Sequence, residues 1–527
     1  MNGEEPKGVL GPCQMKVHGL CLPLWVMGVR YIRNKMEDKM ETIRLEPTSN
    51  NTAPASPDKD DNSVDYDPHL HRQLEKPTNN LETLVHLLKC SLGTGILAMP
   101  QAFARAGLVT GIVATVLVGI LVTHCLHVLL TTTPPTNTDR DTSFSALLSR
   151  EACVGRHVRS QYAACKKLQV PLLSYPAAAA TAFSNGPPAF RSLARPCAIT
   201  VDVFLVVYQL GICCVYIVFI ADNIKKVVDP YYEMAVEIHM LIILMPLIAF
   251  NLIPSLKLLA PFSAVANLMT FVGLGIVIYF LLSGEKSTEP LDLWGSAETF
   301  PLFFGTILFA LTAVGVVIAL ENNMKTPKAF GRPCGVLNTG MTFIVLLYVA
   351  VGALGYVFCV SDCSDSITLD LPKGDPLATT VIVMFAVAIF ISYGLHCYVP
   401  VEVLWKGYLL PWLEESGSNR LRVWEYALRV ALCLLTFVLA VSVPRLGLFI
   451  SLFGALCLSA LGICFPAIME SFLQYPKKPK LLLLKDALLF IIGIVGLLAG
   501  TYTALISIVR SFQPQAVLAD GVEHHHE

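Results

Sequence analysis

About eleven runs of roughly 20 mostly apolar residues recur along this chain, each long enough to cross the hydrocarbon layer of a membrane as a helix. They fall near residues 83–103, 108–130, 198–221, 236–253, 258–283, 301–320, 336–359, 377–397, 423–442, 446–470 and 484–508. None alternates as a barrel strand does. In hydrocarbon, backbone N–H and C=O groups must find partners within the protein, and a lone run of this kind satisfies them only as a helix. Composition agrees, with 54% apolar and only 15% charged residues, against about 25% charged in a soluble domain. The chain is expected to be an all-α integral membrane protein whose residues 81–510 form the transmembrane body.

The same numbers exclude other classes. A net charge of −1 leaves no basic stripe for nucleic acid. No HExxH, GxSxG or P-loop pattern occurs, so an enzyme is not expected. Most of the cysteines, such as Cys90, Cys125, Cys213, Cys214, Cys457 and Cys464, sit in apolar runs, where the side chain packs as a small hydrophobe. No CxxC pairs recur at metal-ligand spacing, and neither metal nor other cofactor is expected. Cys359 and Cys363 form the one close pair at an expected outer face, a candidate disulfide.

Residues 1–80 are polar, charged and proline-rich, and read as a disordered cytoplasmic tail. The weak apolar patch at residues 20–29 contains Pro23 and has no small-residue cleavage site, so it is not expected to be a signal peptide. With that tail inside, lysine and arginine concentrate in the inner loops, as the positive-inside rule requires. Residues 131–197 then form a long cytoplasmic linker, and residues 511–527 a short extracellular or lumenal tail.

Function in a membrane bundle concentrates where the helix pattern fails. The first run reads His86-Leu-Leu-Lys89-Cys-Ser91-Leu-Gly93-Thr94-Gly95-Ile-Leu-Ala-Met-Pro100. Each glycine weakens a helix by about 1 kcal/mol relative to alanine. Freed backbone groups in hydrocarbon are tolerable only where a ligand or water takes their hydrogen bonds. The sixth run carries a matching irregularity at Phe309-Ala-Leu-Thr312-Ala-Val-Gly315. Broken helices at matching places in two halves point to a midplane site, where half-helix N–H groups suit a carboxylate and freed carbonyls an ammonium. Ser91, Gly93, Thr94, Gly95, Tyr208, Phe309, Thr312 and Gly315 are the candidate substrate-binding residues. The competing reading makes these glycines sites of close helix packing.

Ionisable residues within a span are functional candidates by default. His86 and Lys89 share one face of the first helix. His86 titrates near neutrality and is the candidate proton-coupling residue, although a headgroup contact for His86 and a snorkelling role for Lys89 remain as alternatives. Asp202, Gln209, Tyr393 and His396 carry weaker signals. Glu402, Glu425, Arg429, Arg445 and Glu470 lie near span ends and read as structural.

At these motifs the chain resembles the proton-coupled amino acid transporter family of the amino acid/auxin permease group, its insect members above all. The stretches that carry the resemblance are His86 to Pro100, Tyr208-Gln209-Leu-Gly211-Ile-Cys-Cys-Val-Tyr216, Ala319-Leu-Glu321-Asn-Asn-Met324-Lys-Thr-Pro327 and Ser366-Ile-Thr-Leu-Asp-Leu-Pro372. The resemblance covers about residues 75–510. It implies eleven spans in a leucine-transporter-like 5+5 inverted repeat, and cotransport of small neutral amino acids with protons by alternating access. It further implies the plasma membrane or a lysosomal or late endosomal membrane, and a coupling role for the histidine at position 86. Some relatives pass amino-acid status to the TOR growth pathway. The alternative function is therefore an amino-acid sensor with little transport, whose N-terminal tail meets TOR-pathway proteins. Two departures stand out. Thr312 occupies a position where the family usually has an acidic residue, and an insertion lies around residues 131–156.

Overall fold

The apolar runs become helices, and the computed structural model describes residues 77–130, 165, 168, 173–253, 256–284, 289–312, 314–417, 420–443, 445–475 and 480–512. The expected tail up to residue 76, the insertion at 131–156 and the chain end from residue 513 lie outside the described residues. Among those described there is no β-strand, only one isolated bridge between Thr78 and Met324.

Among the described residues, eight helices are long and apolar enough to cross a membrane: Leu108–Leu129, Pro188–Val228, Pro261–Ser283, Val336–Cys359, Pro376–Glu415, Leu421–Ser442, Leu446–Leu473 and Lys480–Ser511. The helices Val236–Asn251 and Phe300–Leu311 are shorter but equally apolar. This is an all-α multi-pass membrane protein. Its helices are labelled α1 Asn80–Ser91, α2 Thr94–Leu97, α3 Met99–Ala106, α4 Leu108–Leu129, α5 Tyr175–Ser184, α6 Ala194–Val228, α7 Val236–Asn251, α8 Leu256–Ser283, α9 Phe300–Leu311, α10 Val314–Asn322 and α11 Val336–Cys359. They continue as α12 Pro376–Leu404, α13 Leu410–Glu415, α14 Leu421–Ser442, α15 Leu446–Phe453, α16 Phe465–Leu473 and α17 Lys480–Ser511.

Burial separates the centre from the rim. The Leu446–Leu473 helix is 72% buried across its apolar window and α17 only 17%. On α17, Leu481, Leu484, Leu488, Ile491, Val495 and Leu498 are all exposed at spacings of three and four. That pattern puts one continuous apolar stripe on the outside, the face a bilayer covers. By contrast α6 is buried nearly all round from Gly211 to Ala221, and it packs against α12, α5, α7, α14 and α15.

Local chemistry explains several boundaries. Asn79 and Glu82 cap α1 reciprocally, Asn79 Oδ1 accepting from the Glu82 N–H and Glu82 Oε2 from the Asn79 N–H, both at 2.9 Å. Asp375 accepts from the N–H groups of Leu377 and Ala378 at 2.7 and 3.3 Å, with Pro376 at the first helical position of α12. Gly107 ends α3 at φ 79°, a conformation that glycine reaches without a Cβ clash.

The structure corrects or sharpens the sequence reading in three places. The stretch 173–193, expected as part of a linker, holds α5 and a 3₁₀ turn at Pro188–Leu193. Its alanine run is the best helix-forming composition, too short to span but buried on α6 and α16. The Tyr175 hydroxyl donates to the Leu461 carbonyl at 2.6 Å, and Phe183 meets Phe472 edge-on at 4.8 Å. Secondly, the break in the sixth run falls at Thr312, in extended conformation, while Gly315 lies inside α10. A lone glycine costs a helix too little to break it, and the extended turn is held instead by side chains from α6 and α11, described below. Thirdly, the tenth run is widened by π segments at Gly454–Leu458 and Ala460–Cys464.

One buried charge is held on two sides, by its Nη1 and Nη2 groups. Arg429 on α14 is 3% exposed; it donates to Glu425 Oε1 at 2.9 Å and to the Asn251 carbonyl at 3.3 Å, and lies 5.6 Å from the centre of the Tyr398 ring. Glu425→Gln removes the countercharge and is expected to cost about 1–3 kcal/mol of stability. The expected readout is a lowered melting temperature of the detergent-solubilised protein.

Candidate functional site

Two helices stop in mid-body and their ends meet. The glycines after Ser91 let α1 end there, with Leu92 and Gly93 outside the helix and α2 beginning at Thr94. α9 ends at Leu311 and α10 begins at Val314. Gly95 fits only because it is glycine: an added Cβ would lie 2.8 Å from the Cα of Ala310, closer than packed atoms allow. Tyr348 of α11, fully buried, directs its hydroxyl at both breaks, its single O–H shared between the Ser91 carbonyl and the Ala310 carbonyl, the latter at 3.1 Å. Tyr208 of α6 reaches the Thr312 carbonyl at 3.4 Å.

Between these ends lies a cavity of about 50 Å³ lined by α1, α2, α6, α9, Thr312 and α12. Of the residues singled out in the sequence, Ser91, Gly93, Thr94, Gly95, Tyr208, Phe309 and Thr312 border it. Gly315 sits in the first turn of α10. His86 is not among the lining residues; it is exposed on α1, one turn before Cys90, which does line the cavity. Cys90, Gln209, Ile212, Tyr216, Ala310 and His396 complete the wall. Tyr208, Ile212 and Tyr216 recur every four residues, so one face of α6 turns to the cavity. That spacing was a readable signal once Tyr208 had been placed.

The wall is chemically specific. Ser91, Thr94 and Thr312 are no more than 5% exposed, and none of their hydroxyls has a hydrogen-bond partner among the described residues. Buried hydroxyls are normally paired, so three unpaired ones around one cavity leave hydrogen-bonding capacity that a polar guest can take up. The C-terminal ends of α1 and α9 both close on the cavity, and the carbonyls of a helix C-terminus carry partial negative charge. His396 holds Gln209 Oε1 at 2.8 Å through Nδ1 and meets the Tyr216 ring edge-on at 5.4 Å. Tyr208 meets Phe309 edge-on at 6.2 Å. No carboxylate, lysine or arginine lines the cavity among the described residues, and none of their His, Cys, Asp and Glu side chains cluster as a metal site.

One end of this region is tied shut. Asp365 binds the Gln101 side chain of α3 and the Gly447 N–H at 3.0 Å. Arg105 of α3 donates to Ser451 at 3.1 Å, and Ser451 pairs with Thr306 of α9 at 2.9 Å. The Asp365 loop is bridged at its start by the Cys359–Cys363 disulfide. Further along it, Lys226 Nζ donates to the carbonyls of Thr368, Leu369 and Leu371 at 3.2, 2.7 and 2.7 Å. Burial pushes the Asp370 carboxyl above its ordinary range, opposed by hydrogen bonds from Ser364 and the charge of Lys226.

At the other end, the Thr78 N–H donates to the Asn323 carbonyl and the Lys325 N–H to the Thr78 carbonyl, both at 2.9 Å. Thr326 donates to Asn80 at 2.8 Å. The entry to α1 and the exit from α10 are thereby joined, so the two broken helices are coupled at their breaks and at this end.

Residues 76–509 match the family described as Transmembrane amino acid transporter protein. The chain is 36% identical over 455 residues to the Proton-coupled amino acid transporter-like protein pathetic of Drosophila melanogaster, an alignment covering 85% of this chain and 89% of that relative. It is 26% identical over 451 residues to Amino acid transporter AVT3C of Arabidopsis thaliana, covering 81% and 91% respectively.

Proposed function

Because the chain belongs to the family of transmembrane amino acid transporter proteins, we propose that it is a secondary active carrier of small neutral amino acids, driven by protons, working by alternating access. The observation that carries this reading is the trio of buried, unpartnered hydroxyls at two facing helix breaks. An ammonium suits the C-terminal carbonyls of α1 and α9, and a carboxylate can take hydrogen bonds from the hydroxyls. Both charges of a zwitterion therefore find partners in one place. The cavity is small, and Ile212, Phe309 and Tyr216 leave little beyond it for a side chain, which favours alanine- or glycine-sized substrates.

In this reading the spans number eleven: α1–α3 together, α4, α6, α7, α8, α9 with α10, α11, α12, α14, α15 with α16, and α17. The paired helices α1–α3 and α9–α10 rock against the rest. The Asp365 and Arg105 contacts close the outer side, and the face of α1 carrying Cys90 and His86 opens inward. His86 is placed to exchange a coupling proton with the inner solution. The N-terminus is cytoplasmic, at the plasma membrane or a lysosomal membrane. Proton coupling is supported by the name of the Drosophila relative, a proton-coupled amino acid transporter-like protein.

A purified protein reconstituted in liposomes tests this. Labelled alanine is expected to accumulate under an inward proton gradient and not without one. Saturable alanine binding without flux would overturn the carrier and favour the second reading, an amino-acid sensor. The absence of a carboxylate among the described residues of the cavity wall is the observation on that side.

Ser91→Ala gives a sharper check because its two effects have opposite sign. Removing an unpaired buried hydroxyl is expected to raise the melting temperature of the substrate-free protein, while KM for alanine rises about 3–10-fold through loss of one hydrogen bond. A lower melting temperature with an unchanged KM would mean that the hydroxyl supports the fold and not the substrate.

A further inference from the structure

We propose that His396, and not a carboxylate, carries the coupling proton at the substrate in this cavity; the assignment rests on the carrier reading above and names its proton site. Apart from three weak acids, Cys90, Tyr208 and Tyr216, His396 is the only titratable side chain among the described residues of the cavity wall. Its ring is fixed on two sides. Gln209 Oε1 lies 2.8 Å from Nδ1, and the Tyr216 ring stands edge-on beside it. With the Gln209 carbonyl oxygen accepting, Nδ1 keeps its hydrogen and Nε2 holds the lone pair. Nε2 has no hydrogen-bond partner among the described residues, so a proton and a ligand can meet there.

The neighbouring elements bring no charge to compete. On α6 the facing groups are Gln209, Tyr208 and Tyr216, and on α1 Cys90. Arg429 of α14 is committed to Glu425 and the Asn251 carbonyl. Asn251 of α7 in turn donates to Cys397 and to the Arg429 carbonyl. Lys89 of α1 is taken by Ser263 of α8. Tyr393, one turn before His396, is held by Thr436 at 2.8 Å and Cys433 at 3.3 Å. Beyond the C-terminal end of α12, Lys406 pairs with Glu402.

The cycle balances simply. A proton from the outer solution adds to Nε2 and makes an imidazolium, whose Nε2–H donates to the carboxylate of the arriving amino acid. After the cavity opens inward, Nε2–H gives its proton to inner water along the Cys90 face of α1. The carboxylate loses its partner and leaves. No bond of the amino acid changes, and one positive charge crosses with each zwitterion.

The test uses the full chain in liposomes with the membrane potential clamped at zero. Wild type is expected to accumulate alanine up to about tenfold per unit of inward pH difference, since one proton per pH unit is worth a factor of ten. Its alanine counterflow at equal pH on both sides should have a KM that rises as pH rises. In His396→Gln, accumulation is expected to fall to onefold, and whatever counterflow survives should lose its dependence on pH. Accumulation or a pH profile like wild type in that variant overturns the proposal. If His396→Gln does not fold, Gln209→Leu decides, because freeing Nδ1 must displace the midpoint of the KM–pH curve. An unmoved midpoint overturns the assignment. A wild type without counterflow would overturn the carrier reading itself, and this assignment with it.

Discussion

Gly95→Val is expected to abolish alanine uptake altogether while leaving a folded, membrane-inserted protein of lower melting temperature. A Cβ at this position meets the Cα of Ala310 at 2.8 Å and its Cβ at 3.1 Å. The obstacle includes the backbone of α9, not the swinging end of a long side chain. Ala310 is also held by Tyr348, so α9 cannot give way without breaking that contact. The two helix ends must therefore separate, and the cavity between them changes shape. Gly95→Ala should show the same defect in weaker form. Uptake measured beside the melting temperature separates a closed site from an unfolded one. Wild-type flux in the valine variant would show that the close approach of α2 and α9 is not needed for transport.

The second large effect is expected for Tyr348→Phe, which keeps the ring and removes only the hydroxyl. Tyr348 is wholly buried, so the packing of α11 is unchanged and the substitution isolates one group. The Ser91 carbonyl retains the Gly93 N–H at 3.1 Å, but the Ala310 carbonyl loses its partner in a dry interior. An unsatisfied buried acceptor costs about 1–3 kcal/mol. Since about 1.4 kcal/mol is a factor of ten in rate, uptake is expected to fall about tenfold or more if both breaks must be held together during turnover. Stability should fall alongside it. A variant with lowered stability and full uptake would assign Tyr348 to the scaffold alone.

How far the sequence led depends on the kind of signal. The helices were legible because hydrocarbon thickness dictates their length, and runs such as 108–130 and 336–359 lie within a residue of α4 and α11. The break after Ser91 was legible because two glycines one residue apart announce it. The second break falls inside the stretch Phe309 to Gly315, at Thr312. Its exact place within that stretch is set by hydroxyls from Tyr208 on Thr312 and Tyr348 on Ala310, partners 104 and 38 residues away in a chain where pattern reading is local. α5 was missed because ten residues are too few to read as a span, and its burial is decided by α6 and α16. His396 was noted but left out of the candidate site. Nothing in Tyr393-Gly-Leu-His396 says that the ring will find Gln209 on another helix. Seven of the eight candidate binding residues share one cavity, but the role of each waits on transport measurements.

The widened turns at Gly454–Leu458 and Ala460–Cys464 have a consequence for how the chain tolerates change in length. A π-turn accommodates one residue more than an α-helix would hold over the same stretch. Deleting a single residue inside Gly454–Leu458 therefore has somewhere to be absorbed: the bulge can close while the flanking turns stay in register. The same deletion in α4, which has no slack, would rotate everything after it by about 100°. Length variation is thus expected to be borne within the most buried helix of the bundle and not only in its loops.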